Sequence, residues 1–209
     1  MNQYVQFPFL RSLEDGWEDV LEELNNLLYN EAENNRSYFQ PWHEVNLYEG
    51  QWDIYGLYSL GKKLKGNCER CPKTTSLVES IPGVVNAGFS SLAPETHVRP
   101  HASHDKRILR CNLGLITPNP LPDYDRRATG VLTAKTCGLR VEDDFHYWEP
   151  GKAFVFDETK ENESWNWGER TRFILAIDFK KLSSDWSTDQ LNRRSGLGDI
   201  LALGMSAKG

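Results

Sequence analysis

Three histidines crowd into one short run, Thr96-His97-Val98-Arg99-Pro100-His101-Ala102-Ser103-His104. Neutral imidazole is a good ligand for borderline metals, so such a cluster at a strand end is a metal-site candidate. His97 and His101 are an even number of residues apart. An extended chain would point both to one face, unless Pro100 distorts it. The bland alternative is a solvated loop with one satisfied histidine. A second chemistry is carried by arginine. Arg110 lies in the apolar run Leu109-Arg110-Cys111-Asn112-Leu113, and Arg172 in Arg172-Phe173-Ile174-Leu175. A guanidinium in an apolar strand must find an anion, because burying it unpaired is costly. Two such arginines point to a small carboxylate ligand, held in bidentate fashion, or else to internal Asp or Glu partners or to side chains on a solvent face. Cys68 and Cys71 form a C-x-x-C pair that could be half a zinc site, but no second close pair completes it. Buried free thiols are the simpler reading of all four cysteines, which include Cys111 and Cys137.

Elements must hold these residues in place. Ser12 and Asp15 form a capping-type start, and Trp17, Val20, Leu21, Leu24, Leu27 and Leu28 recur at helical spacing. This pattern predicts a helix over roughly 14–30 with one apolar face, followed by a polar loop over 31–40. One or two strands are expected over 47–60 and a short helix from Pro72 to Pro82-Gly83. Beyond Val84 the texture is β, with apolar runs at 85–93, 108–116, 129–134, 137–141, 152–157 and 171–179 between turn signals. Many short strands argue for a mainly β sandwich or barrel-like double sheet. The tail beyond Leu182 reads as helix and then fray.

The chain has 209 residues, enough for one compact domain, and a formal net charge of −6. That acidity speaks against a nucleic-acid partner. No apolar run reaches the roughly 20 residues of a membrane helix, and the N-terminus lacks the pattern of a secretory signal. A soluble, cytoplasmic protein is the default.

The order of these pieces resembles the aspartyl/asparaginyl β-hydroxylase family of iron- and 2-oxoglutarate-dependent oxygenases. The resemblance spans roughly 68–182. It is carried by Phe89-Ser90-Ser91-Leu92, the Pro100-His101 pair, the Arg110 strand, and the hairpin Trp148-Glu149-Pro150-Gly151-Lys152. It continues in Phe154-Val155-Phe156-Asp157 and in Asn162, ten residues ahead of Arg172. It implies a double-stranded β-helix of the jelly-roll or cupin-like kind with flanking N- and C-terminal helices. The core would span 84–182, preceded by a helical/β extension over 1–83, all within one domain, 1–209. It also implies an Fe(II)- and 2-oxoglutarate-dependent dioxygenase that hydroxylates an aspartyl, asparaginyl or related small amino-acid-like substrate, free or in a short peptide. By the same resemblance His101 matches an iron ligand, while Ser90, Arg110 and Arg172 match positions that hold 2-oxoglutarate. Ser103 falls near the slot of the usual carboxylate ligand, which the family lacks. Asn162 stands where the family keeps its second iron-binding histidine, and Asn112 where a histidine near the cosubstrate is expected. A carboxamide oxygen is a weaker ligand for ferrous iron than imidazole. His97, His104 or His146 could substitute, Asn162 could coordinate weakly, or the chain could be a non-catalytic carboxylate-binding or regulatory protein. Arg99, Lys106, Arg107, Arg126 and Arg127 could receive an acidic substrate, or simply form a solvated surface.

Overall fold

A computed structural model describes residues 3–35, 37–118 and 137–181. The expected strand at 129–134, Arg126, Arg127 and the expected tail helix lie outside the described residues.

The chain opens with helices α1 (Gln3–Gln6), α2 (Phe9–Asp15) and α3 (Trp17–Asn34). The sequence pattern is therefore corrected at both ends of the expected helix. Ser12 lies inside α2 and makes no cap; Gly16 separates α2 from α3. A side chain at Gly16 would meet Leu77 Cδ1 at 2.7 Å, so close packing fixes the break there. The region 31–34 is helical, and α3 stops only where Asn35 turns left-handed at φ 45°. Asparagine is among the few residues that adopt this conformation at small cost.

Short strands β1 (Gln40–Pro41) and β2 (Tyr48–Glu49) precede β3 (Trp52–Ser59) and β4 (Lys62–Lys63). Helices α4 (Lys65–Arg70) and α5 (Pro72–Glu79) follow. The N-terminus of α5 is capped from a distance. Buried Glu23 of α3 accepts hydrogen bonds from the Lys73 and Thr74 amides, both at 2.8 Å, and from the Thr74 hydroxyl at 2.7 Å. Those amides are the donors a helix start leaves without partners, and the helix dipole favours a carboxylate there. Glu23→Ala is expected to cost about 1–3 kcal/mol. Thermal unfolding should show it as a fall of roughly 2–4 °C per kcal/mol; an unchanged midpoint would remove the cap from the account.

The remaining strands are β5 (Val84–Leu92), β6 (Thr96–His101), β7 (Ile108–Ile116), β8 (Cys137–Val141), β9 (Asp144–His146), β10 (Ala153–Phe156), β11 (Asn162–Asn166) and β12 (Arg172–Lys180). The larger sheet runs β1-β3-β5-β12-β7-β10, with β4 beside β3; the smaller runs β2-β6-β11-β8-β9. Every strand pair is antiparallel. These two facing sheets are the double-stranded β-helix.

The two-residue period of β12 divides the interior. Leu175, Ile177 and Phe179 pack with Leu10, Val20 and Leu24 of the helices. Ile174 faces the other way, toward Leu139, Trp148 and Phe156 between the sheets. Alternation of this kind sends Arg172, Ile174, Ala176 and Asp178 to the inner face of the larger sheet.

Candidate functional site

A cavity lies between the two sheets. The larger sheet contributes Trp52, Ile54, Ser90, Arg110, Asn112, Arg172, Ile174 and Ala176. The smaller contributes Val98, His101, Leu139, Asn162 and Ser164. Trp42 and Trp148 complete the wall, with Trp42 stacked on Trp52 at 4.9 Å. Ser90, His101, Arg110, Asn162 and Arg172 are thus brought to one space from five different strands.

Arg172 is the chemically unusual residue. It is 3 % exposed and has no carboxylate partner among the described residues. Nη2 donates to Ser90 Oγ at 3.1 Å, the guanidinium lies 4.6 Å above the Trp148 ring, and Nε has no acceptor. Burial pushes its pKa down to about 10, which leaves it charged at neutral pH. An uncompensated charge in such a place is expensive and is retained where a ligand supplies the counter-ion. Its neighbours share the pattern. Ser90 Oγ also accepts from Trp52 Nε1 at 3.0 Å, so with two donors already on the oxygen its own proton is free to donate. Trp148 Nε1 and Asn112 Oδ1 are likewise buried without partners. All three orphaned polar atoms among the described residues line this cavity. Buried polar groups in folded proteins are normally satisfied, so their concentration in one cavity makes it a candidate ligand site.

Arg110 is different. Its Nε and Nη2 donate to the two carboxylate oxygens of Asp178, at 2.6 and 2.9 Å, and Nη1 pairs closely with Glu158. Asp178 stands directly opposite Arg110 in the β7–β12 ladder and also accepts from Asn86 Nδ2 at 3.0 Å. Burial would lower the Arg110 pKa, but the two carboxylates outweigh it and hold it above its usual value. Burial raises Glu158 to about 7 against the pull of Arg110. Of the two embedded arginines, then, one is satisfied internally and one is not.

On the opposite wall His101 and Asn162 are direct cross-strand partners. His101 Nδ1 donates to the Arg99 carbonyl at 2.8 Å, which leaves Nε2 as the lone-pair nitrogen. A metal-binding imidazole is commonly oriented by such a bond. The Asn162 amide nitrogen faces the carbonyls of His101, Glu158 and Lys160 at 3.1–3.4 Å, so its oxygen is the atom left for other partners. The expectation that His97 and His101 share a face is corrected. Between Ser164↔Val98 and Asn162↔His101, β11 advances two residues and β6 three. A bulge at Arg99-Pro100 reverses the alternation, consistent with a proline that cannot donate to the ladder. Val98 and His101 face the cavity, while His97 turns away to Glu163 Oε2 at 2.9 Å.

Neither of the other candidate histidines lines the cavity. His104 is exposed, and His146 stacks on Phe154 at 5.2 Å. Among the described residues no cluster of three or more His, Cys, Asp or Glu side chains could hold a metal. Ser103 is exposed and its amide donates to the Glu158 carbonyl. Of the basic loop residues, Arg99 pairs with Glu49 and Arg107 with Asp105.

The four cysteines are buried and unbridged. Cys68 Sγ bonds to the Leu57 carbonyl, and burial pushes the Cys71 and Cys137 thiols up to about 12. Since only the thiolate is reactive, a thiol reagent at pH 8 should leave the native protein unlabelled and modify all four cysteines after unfolding. Rapid labelling of the native Cys68–Cys71 pair would restore a role for it.

Sequence reasoning did not single out Trp52, Glu158 or Asp178. Asp178 carried a signal: it is an acid inside an apolar strand, the same anomaly that drew attention to Arg110.

The sequence profile described as aspartyl/asparaginyl beta-hydroxylase matches residues 14–181. An ornithine lipid ester-linked acyl 2-hydroxylase of Rhizobium tropici is 29 % identical over 181 residues, covering 84 % of this chain and 58 % of that protein. The human aspartyl/asparaginyl beta-hydroxylase is 26 % identical over 174 residues, covering 81 % of this chain and 20 % of that protein. The chain therefore spans little over half of the first relative and a fifth of the second. A prolyl hydroxylase from Trichoplax adhaerens, solved with a hypoxia inducible factor peptide fragment, superposes with a TM-score of 0.50 at 15 % identity, over 79 % of this chain and 78 % of that one. No described helix is long and apolar enough to cross a membrane.

Proposed function

We propose, from the premise that this chain belongs to the aspartyl/asparaginyl β-hydroxylase family, that it is a 2-oxoglutarate-dependent hydroxylase whose cosubstrate pocket is the cavity around Arg172. The observation that carries this reading is Arg172 itself, a buried guanidinium with an orphaned Nε and an ordered Ser90 hydroxyl beside it. A carboxylate completes that arrangement in bidentate fashion. The apolar walls, including Ile174, Leu139 and Phe156, would exclude water around the bound oxo acid.

The residues fit the two parts of the family's cofactor set unequally. The orphaned donors Arg172 Nε and Trp148 Nε1 support the oxo-acid part. The metal part offers one imidazole, His101, and one carboxamide, Asn162, a weaker pair than two imidazoles. These two would hold the metal, with the oxo acid's own oxygens completing the set. When bound, ferrous iron with 2-oxoglutarate supplies the oxidising chemistry. The chain's own task is to bind, orient and shield: Arg172 and Ser90 hold a carboxylate, and the Arg99 carbonyl keeps the His101 proton on Nδ1. The stacked Trp42 and Trp52 offer a wall for the substrate, an aspartyl, asparaginyl or related small amino-acid-like group, free or in a short peptide. Four unbridged cysteines support a cytoplasmic setting.

A second reading is favoured by Asn162: a carboxylate-binding protein that has set aside metal chemistry. Titrating reduced, purified protein with 2-oxoglutarate, with and without Fe(II), separates the two. The hydroxylase binds both and forms succinate when given a substrate. The binding protein takes up the oxo acid unchanged by chelator. Absence of any oxo-acid binding would sink both readings.

A further inference from the structure

We propose that the β3–β4 hairpin is a docking element for an anionic lipid surface, with Leu60 as its inserted tip and Lys62 and Lys65 as its contacts to the headgroups.

Two residues, Leu60 and Gly61, join these strands, with Ser59 paired to Lys62 and Tyr58 to Lys63. Both have positive φ, 51° and 76°. A two-residue turn of this kind favours Asn-Gly or Gly-Gly, because few side chains enter the left-handed region at small cost. Leucine is a poor residue for the first position, and packing does not repay it. Leu60 is 81 % exposed, the most exposed large apolar side chain among the described residues. A Cβ at Gly61 would meet nothing within 4 Å, so the tip stands clear of the protein. A lone surface leucine is ordinary; one held in a strained turn among lysines calls for a partner outside the chain. The surroundings say which. Residues 59–66 are all exposed and carry Lys62, Lys63 and Lys65 with no acid, in a chain of formal net charge −6. Leu64 adds a second exposed apolar side chain. Lys63 is held by Glu79 at 2.7 Å, whereas Lys65 only approaches Glu69, at 4.0 Å, with its side chain 86 % exposed. An apolar tip flanked by lysines matches a surface whose headgroups are anionic and whose next layer is apolar. A soluble acidic protein would match the lysines and leave Leu60 without a role. The hairpin is also firmly set. The Leu60 amide donates to Asn86 Oδ1 at 2.9 Å, and Asn86 Nδ2 donates to Asp178, the partner of Arg110. Docking then has little conformational freedom to remove.

The test is co-sedimentation of the whole chain with phosphatidylcholine vesicles, with and without phosphatidylserine, at low and at near-physiological salt. Binding is expected only with phosphatidylserine and weakens as salt rises. Leu60→Asn is expected to weaken it at least roughly threefold, with a melting temperature equal to or above the parent's, since asparagine suits the turn. Lys62→Glu combined with Lys65→Glu should weaken it at least roughly tenfold. No binding to the mixed vesicles would overturn the proposal. So would binding that Leu60→Asn leaves unchanged and the lysine variant abolishes, which would assign the patch to a soluble acidic partner. A fall in the melting temperature of Leu60→Asn would show that Leu60 packs within the protein, and would overturn it as well.

Discussion

Replacing Arg172 by methionine is expected to weaken 2-oxoglutarate binding at least a hundredfold while leaving the stability of the protein nearly unchanged. The two effects share one cause. Arg172 is fully buried with an unpaired Nε and no counter-ion among the described residues. Its burial is unfavourable enough to push its pKa down to about 10. Exchanging buried ionic groups for apolar ones of similar volume is often neutral or stabilising by about 1–4 kcal/mol. Against this stand one hydrogen bond to Ser90, about 0.5–1.5 kcal/mol, and the contact with the Trp148 face, about 0.5–2 kcal/mol. The losses offset most of the gain, so the melting temperature is expected to move by no more than roughly 4 °C. The ligand carboxylate, in contrast, loses the one uncompensated cation lining the cavity among the described residues. Removing one partner of a buried, hydrogen-bonded charge pair costs about 2–5 kcal/mol, and a hundredfold is about 2.7 kcal/mol. Calorimetric titration and a thermal melt of the same preparation measure both. Undiminished binding, or a fall in stability with binding intact, would show that Arg172 is a structural cation. An arginine that the fold can lose at little cost and the ligand cannot is what a binding site requires.

The second large effect is at the opposite wall. Asn162→His is expected to raise affinity for Fe(II), or for Co(II) as its spectroscopic stand-in, by at least roughly tenfold. Position 162 is the direct cross-strand partner of His101 and lines the same cavity, so a second imidazole there would stand beside the first. The substitution also gives up an amide that faces three carbonyls, of which one imidazole N–H can serve one. A stability loss of about 1–3 kcal/mol is the expected accompaniment. Adding His101→Ala to the variant should erase the gain, because it removes the other donor. An unchanged Co(II) spectrum in Asn162→His would mean that position 162 does not reach the metal position, and would favour the reading of the chain as a carboxylate-binding protein.

Much of this site was legible before any coordinate. The spacing of Ser90, His101, Arg110, Asn162 and Arg172 carried the family resemblance, and the profile match over 14–181 agrees with it. The apolar runs from Val84 onward became strands within a residue or two of their expected limits wherever the structure describes them. These features are local or depend on linear order, and a sequence displays both directly. Two local expectations were corrected by packing and by strand pairing. Gly16 broke a helix whose apolar period runs without interruption, because Leu77 of a distant helix packs against it. The bulge beside Pro100 turned His97 away from the cavity, the distortion for which a proline in the run left room.

What the tertiary structure alone decided is the inequality of the two arginines. In the sequence Arg110 and Arg172 are the same anomaly, a cation in an apolar strand. Antiparallel pairing of β7 with β12 sets Asp178 opposite Arg110, and the turn after β10 adds Glu158. The same pairing leaves Arg172 at the other end of β12 with a hydroxyl and an indole face. The sequence by itself determined that two cations would stand in apolar strands of a mainly β fold. Which of them is neutralised within the chain, and which still needs an anion, depends on partners 68 and 82 residues away. Coulomb attraction acts through space and not along the chain, so only the folded arrangement could assign it.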